Sequence, residues 1–300
     1  MTLPFQALSC PLDNGPLQRI DGCWRCASGH SFDIAAQGYT HLLPVQHKRS
    51  LDPGDSKAMI QARQRFLAAG HYQPIADAVS KMVLAHGAPH HTLQCLDAGC
   101  GEGFYLRALV GAARAQADTR PRDGLSRAGA VQPLSIVGVD ISKWAIVAAA
   151  KQDKQSTWLV ASNANLPIQS GSLDVVLCMF GFPVYAEFAR VLKPGGLLLQ
   201  VDAGPDHLRE LRSLIYPSLR AERAAAPDAP EGFRSHATEH LRAPLTLTDA
   251  QDIADLLVMT PHFYRATSEG RAKAAALTEL NTTIDVVLTA FFLEPNGTPS

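Results

Sequence analysis

The sequence has no charge excess to speak of: 27 lysines and arginines face 28 aspartates and glutamates, for a formal net charge of −1. That total gives RNA or DNA binding no help, so any nucleic-acid contact must come from local clusters. Long apolar runs are missing too. Among the longest is Val175 to Phe180, which is far too short to span a bilayer. No basic segment followed by an apolar one opens the chain, so no secretory leader is expected. Cysteine is sparse and poorly placed for a disulfide framework. Cys10, Cys23 and Cys26 cluster near the start, while Cys95, Cys100 and Cys178 lie on or beside expected buried strands. The expectation is a reducing, cytoplasmic setting.

Against these absences stands a hydrophobic content of 46% with only 18% charged residues, enough for the core of one large domain plus a small one. Residues 1–36 are polar and turn-rich, without helical periodicity, and can bury little surface by themselves. The stretch "GYTHLLPVQHKRSLDPGDS", residues 38–56, carries prolines and an Asp-Pro-Gly-Asp turn and reads as a connector. Ser56 can cap a helix that stops at Gly70, and Ile75, Val79, Met82 and Val83 recur at helical spacing after Pro74.

From about residue 92 strands and helices alternate. Strands are expected in "TLQCLDAG", "LSIVGVD", "STWLVAS", "SLDVVLCMF" and "GGLLLQVDAG", with a last one over residues 283–293. This order predicts an α/β fold with a mostly parallel, doubly wound sheet. Residues 205–245 read only as helix and loop, and the Ala/Arg/Gly-rich residues 111–135 as a long mobile insertion. Basic clusters occur at His47-Lys48-Arg49, at Arg63 and Arg65, and from Arg107 to Arg127; each is either a phosphate contact or a solvated face.

Two stretches carry chemistry. "SCPLDNGPLQRIDGCWRCASGHSFD", residues 9–33, looks like a zinc knuckle with one letter changed. Cys26 and His30 form a Cys-x-x-x-His pair, and Cys10 opens a second pair whose other member is Asp13. Zinc accepts carboxylate oxygen, although thiolates dominate structural sites. Cys23 is the alternative fourth ligand. It has opposite parity to Cys26, so a turn would be needed to bring both to one ion.

The second stretch is "LDAGCGEG", residues 96–103. A dinucleotide fingerprint spaces its glycines Gly-x-Gly-x-x-Gly; here the third comes one residue early. Gly99, Gly101 and Gly103 let backbone approach a small zwitterion, and Asp97 can orient its ammonium. Asp140, ending "VGVD", can accept two ribose hydroxyls, and Asn163 can touch an adenine edge. With the "VLKPGG" turn at residues 191–196, these features resemble a Rossmann-like class I S-adenosylmethionine-dependent methyltransferase.

The earlier phrases narrow the resemblance. "GYTHLLPVQHKRSLDPGDS", "MIQARQRFLAAGHYQPI", "LDAGCGEGFY", "GVDISKWAIVAAAK", "FARVLKPGG", "GPDHLRELRSLIY" and "LLVMTPHFYRA" are similar to the bacterial 23S rRNA (guanine-N1)-methyltransferases, the RlmA family, over most of residues 9–265. That resemblance implies S-adenosylmethionine contacts at Tyr72, Gly101, Glu102 and His207. It also implies a small N-terminal zinc ribbon on Cys10, Cys26 and His30, with Asp13 departing from the family's cysteine. The implied organisation is a zinc-ribbon-like RNA-binding module over residues 1–36, a helical connector over 37–90 and a methyltransferase domain over 91–300. Its partners would be a 23S rRNA hairpin and a second copy in a homodimer, with no membrane.

The proton acceptor for guanine N1 is not evident in the sequence. Phe180, Phe182 and Pro183, in the loop after the fourth strand, are the target-base candidates, since an aromatic ring there can stack on a base. Rival readings are methylation of a small quinone-precursor metabolite, a non-catalytic RNA-binding relative, and methylation of a neighbouring guanine in the same hairpin.

Overall fold

The computed structural model describes residues 2–44, 52–88, 91–118, 132–216, 228–260 and 266–295. Its centre is one large sheet. Strands β6 (Leu93–Ala98), β7 (Leu134–Asp140), β8 (Thr157–Val160), β9 (Leu173–Met179) and β10 (Leu192–Ala203) run parallel in the order β10-β9-β6-β7-β8. They are near-continuous apolar runs because both faces are covered, as parallel sheets require. β12 (Leu280–Leu293) joins β10 antiparallel, and β11 (Phe233–Leu247) forms the edge beyond it.

The N-terminal segment is woven into this sheet. β1 (Thr2–Pro4) pairs with the start of β7, and β5 (Tyr39–His41) pairs with β8. Between them, β2 (Gln18–Ile20), β3 (Cys23–Arg25) and β4 (Ser31–Asp33) make a separate three-stranded sheet. Residues 1–36 bury more than their composition suggests. Phe5, Leu8 and Trp24 are buried in the core cluster that includes Val137, Leu159 and Ile168 of the large domain.

Helix α1 (Lys57–Ala68) starts at Ser56, whose hydroxyl accepts from the Met59 amide at 3.3 Å, and ends before Gly70, which takes a left-handed φ of 83°. α2 (Gln73–His86) follows and buries Ile75, Val79 and Val83. The remaining helices are α3 (Phe104–Asp118), α4 (Lys143–Gln152), α5 (Tyr185–Val191), α6 (Arg209–Ile215), α7 (Ala250–Met259) and α8 (Ser268–Ala275).

Two expectations are corrected here. Residues 233–247 are a long strand, not helix and loop. β11 is an edge strand with a period-two pattern: Phe233, Leu245 and Leu247 are buried and Ala237, Leu241 and Ala243 half-buried, while the even-numbered positions face outward; Pro244 is tolerated because the strand pairs only with β12. Within 111–135, residues 111–118 complete α3 and 134–135 begin β7; residues 119–131 lie outside the described residues.

Candidate cofactor and metal sites

The glycine turn links β6 to α3 at the carboxyl edge of the sheet. The Gly99 and Cys100 amides both donate to the Val139 carbonyl, at 2.8 and 3.0 Å, which ties the turn to the end of β7. Gly99, Gly101 and Gly103 have φ of 95°, 54° and 80°, a region closed to most side chains. Gly103 has a further reason to be glycine. A Cβ there would sit 2.5 Å from the Trp158 ring, and one added at Gly138 on β7 would meet the same buried indole at 2.4 Å. The early third glycine therefore seats α3 against a tryptophan.

Below the turn lies Asp97, fully buried, with neither carboxylate oxygen hydrogen-bonded. Burial, and then the charge of Asp140, push its pKa up to about 8. A buried carboxyl with two orphaned oxygens is costly unless a ligand completes it. Asp140 ends β7, where its two oxygens accept from the Gly101 amide at 2.9 Å and the Ser142 amide at 2.8 Å. Those bonds fix the carboxylate and leave further lone pairs for a ligand. The Asn163 amide lies over Gly99, 3.8 Å from where a Cβ would stand. This arrangement fits S-adenosylmethionine: an orphaned acid for an ammonium, an oriented acid for ribose hydroxyls, and backbone without side chains between them.

The far wall is aromatic. The Tyr72 hydroxyl lies 3.2 Å from His207 Nε2, and the Asp285 amide donates to His207 Nδ1 at 3.2 Å. Because Nδ1 accepts, a neutral His207 carries its proton on Nε2 and donates it to Tyr72. Burial raises the Tyr72 pKa, so it stays a phenol. Phe180 faces the His207 ring at 5.8 Å and holds a left-handed φ of 50°. Phe182 is 90% exposed, and Pro183 is half-buried beside it.

Glu102 is differently occupied. Its Oε2 accepts from Arg107 at 2.7 Å and Gln152 at 2.8 Å, while Oε1 is buried without a partner.

The metal candidates lie at two tight turns. In the first, the Asn14 amide donates to the Cys10 carbonyl at 2.8 Å; in the second, the Gly29 amide donates to Cys26 at 3.1 Å. The ligand atoms of Cys10, Asp13, Cys26 and His30 all lie within 4.8 Å of one another. His30 Nδ1 is 3.1 Å from Asp13 Oδ2, 3.3 Å from Cys26 Sγ and 3.5 Å from Cys10 Sγ. Zinc bonds of about 2.0–2.3 Å in a tetrahedron separate ligand atoms by roughly 3.3–3.8 Å, so this donor set fits zinc. Burial, which outweighs backbone hydrogen bonds, raises the Cys10 thiol to about 11. Cys23 stands apart: its Sγ donates to the Ile20 carbonyl at 3.1 Å.

The basic clusters fare unevenly. Arg65 makes a bidentate pair with Asp255, at 2.8 and 2.6 Å, and Arg63 bridges Asp55 and the Met259 carbonyl. Both therefore have protein partners, against the phosphate reading. Arg107 holds Glu102, and Arg114 donates to Gln155. His47, Lys48, Arg49, Arg120, Arg122 and Arg127 lie outside the described residues. Sequence reasoning missed the role of the Asp-Pro-Gly-Asp turn. Asp55 accepts from the Ser142 hydroxyl at 2.7 Å, and Gly54 packs against Ile141 and Ser142, so the connector walls the crevice beside Asp140.

Comparison with known proteins bears on both sites. Residues 8–51 match the family described as "RlmA, N-terminal", a zinc ribbon, and residues 96–200 match "Methyltransferase domain". The chain is 32% identical over 292 residues to YxjB of Bacillus subtilis (strain 168), provisionally named a 23S rRNA (guanine-N(1)-)-methyltransferase, covering 95% of this chain and 96% of that one. The chain belongs to the RlmA family. It is also 30% identical, over 90% of each chain, to the 23S rRNA (guanine(748)-N(1))-methyltransferase of Streptomyces fradiae. Membership makes this RlmA protein a methyltransferase that uses S-adenosylmethionine and carries a zinc ribbon. Among the described residues no helix is long and apolar enough to cross a membrane.

Proposed function

We propose that this protein methylates N1 of a guanine in a hairpin loop of 23S rRNA. The observation that carries the reading is the orphaned Asp97 carboxyl beneath the glycine turn, in a chain whose RlmA relatives match it almost end to end. Asp97, the Gly99–Gly103 turn, Asp140 and Asn163 hold the donor, with Tyr72 and His207 closing the opposite wall. Bound S-adenosylmethionine supplies a methyl group already activated by its sulfonium. What remains for the protein is alignment of base and methyl, so positioning dominates. Guanine N1 is paired inside a helix, which is why a loop or flipped-out base is the substrate. Cys10, Asp13, Cys26 and His30 hold zinc and staple the ribbon that grips the RNA beside the crevice. The family likeness supports a homodimer, which sedimentation would read.

Incubation with labelled donor and unmodified 23S rRNA, read by primer extension, tests the reading. N1 methylation blocks pairing, so the expected result is one new polymerase stop. Label in a quinone precursor with none in RNA would replace it with small-molecule methylation.

The exposed ring of Phe182 gives a separable expectation. Phe182→Ala leaves the melting temperature nearly unchanged, because surface substitutions fall within about 0.5 kcal/mol. RNA methylation drops by roughly 5–150-fold if the ring stacks on a base, a contact of about 1–3 kcal/mol. Unchanged methylation kinetics in this variant would remove Phe182 from the base pocket.

A further inference from the structure

The proposed reaction, on which this inference rests, leaves one requirement unmet. Guanine N1 carries a proton at neutral pH, and its lone pair cannot take a methyl group until that proton has somewhere to go. The acids around the crevice are mostly committed. Asp97 lies under the glycine turn, Asp140 holds the Gly101 and Ser142 amides, and Glu102 is paired with Arg107. Asp206 faces Arg209 and Arg242 at 2.7 and 2.9 Å, which hold its pKa down.

Asp202 is different. It lies on β10 one residue beyond Val201, which is in register with Met179 at the end of β9 and whose carbonyl accepts from the Phe180 amide at 2.8 Å. This places Asp202 beside the first residue of the loop that carries Phe182. Gln200, two residues back and on the same face, is buried and tied at both ends. Its amide nitrogen donates to Asp202 Oδ2 at 2.7 Å, and its oxygen accepts from the Tyr185 hydroxyl at 3.0 Å. The Tyr185–Gln200 pair thus fixes one oxygen of a half-buried carboxylate. The other, Oδ1, has no hydrogen-bond partner among the described residues.

We infer that Asp202 accepts the N1 proton of the target guanine. The N1–H bond breaks as an O–H bond forms on Asp202, and the freed N1 pair forms the N1–carbon bond as the sulfur–carbon bond breaks. The sulfonium's positive charge and the carboxylate's negative charge cancel, leaving a neutral thioether, a neutral methylguanine and a neutral carboxylic acid that returns its proton to water. Burial raises the Asp202 pKa from the ordinary carboxylate range, which makes it a better base than a surface aspartate. The titratable groups that face it are Cys178 on β9 and Tyr185 at the start of α5. Burial raises both, Cys178 to about 12, so both stay neutral while Asp202 titrates.

The test is single-turnover methylation of 23S rRNA by wild type and Asp202→Asn, from about pH 5 to about pH 9. Wild type should show an acid limb that levels off, the signature of a carboxylate that must be ionised. Asp202→Asn, which can still bond Gln200, should lose about 100-fold or more in rate near neutrality. Its remaining rate should climb with pH as the nucleobase ionises on its own, while S-adenosylhomocysteine affinity stays within about twofold. A variant rate within threefold or so of wild type, in the same pH profile, overturns the inference. So does a wild-type rate that climbs without levelling, a result that needs no variant. If Asp202→Asn loses cofactor binding, Asp202→Ser takes its place. If wild type itself leaves 23S rRNA unmethylated, the guanine-N1 reading fails instead, and the two failures are thereby told apart.

Discussion

Asp97→Asn is expected to weaken S-adenosylhomocysteine binding while making the ligand-free protein harder to melt at alkaline pH. Both effects have one origin. Asp97 is fully buried, its oxygens have no partner, and its pKa is pushed up to about 8 by burial and by Asp140. Between about pH 4 and about pH 8 the folded protein keeps a proton here that the unfolded chain has released, so stability falls as pH rises through that range. Above about pH 8 the folded state carries a buried, unpaired charge and the full penalty is reached. Asparagine is never charged, so the variant should gain up to a few kcal/mol at alkaline pH and little near pH 5. The same change removes the charge that the ligand's ammonium needs. A charge-assisted hydrogen bond of about 1.5–3 kcal/mol corresponds to roughly 10–150-fold in affinity. Thermal melts at both ends of the pH range, with calorimetry alongside, check the pair. A variant that binds the ligand as wild type does would take Asp97 out of the site.

Cys26→Ser is expected to cost zinc affinity by more than about 100-fold, beyond the 10–100-fold typical of altering an outer-shell partner. Cys26 Sγ lies within 3.3 Å of both Asp13 Oδ2 and His30 Nδ1, so losing its thiolate opens the donor set at its middle. Collapse of the whole chain is not expected, because Phe5, Leu8 and Trp24 anchor the segment in the large core. Metal analysis should therefore find zinc gone, with S-adenosylhomocysteine binding intact and RNA methylation reduced. Cys23→Ser is the matched control, since that sulfur faces Ile20; it should keep its zinc. Asp13→Cys should hold zinc at least as tightly as wild type, because thiolate is the stronger ligand. Zinc lost from Cys23→Ser but retained by Cys26→Ser would falsify the assignment.

Much of the sheet was legible because β6 to β10 are buried on both faces and therefore read as apolar runs ended by polar residues. Asp97, Asp140 and Asn163 each stand at or just after the end of such a run, and the structure brings all three to the carboxyl edge. Asp202 was missed although "VDAG" at 201–204 echoes "LDAG" at 96–99; nothing in the spacing tells which strand faces the substrate. β11 was overlooked although Leu241, Ala243, Leu245 and Leu247 alternate with exposed residues; Pro244 within the run reads as a break, and an edge strand tolerates it. The connector's role was hidden for another reason: Gly54 and Asp55 meet Ile141 and Ser142 across 87 residues of sequence. The pairing of Arg65 was hidden for the same cause, since its acid partner lies 190 positions away. Parity weighed against Cys23, and the structure turns its sulfur away.

The central claim is that a sulfonium nucleoside lies across the glycine turn with its ribose on Asp140. Calorimetry of wild type and Asp140→Ala with S-adenosylhomocysteine tests it most directly. One ligand should bind per wild-type chain, and the alanine variant should bind at least about tenfold more weakly, the loss of one charge-assisted hydrogen bond or more. No heat with wild type, or equal affinity in the two proteins, would contradict the account.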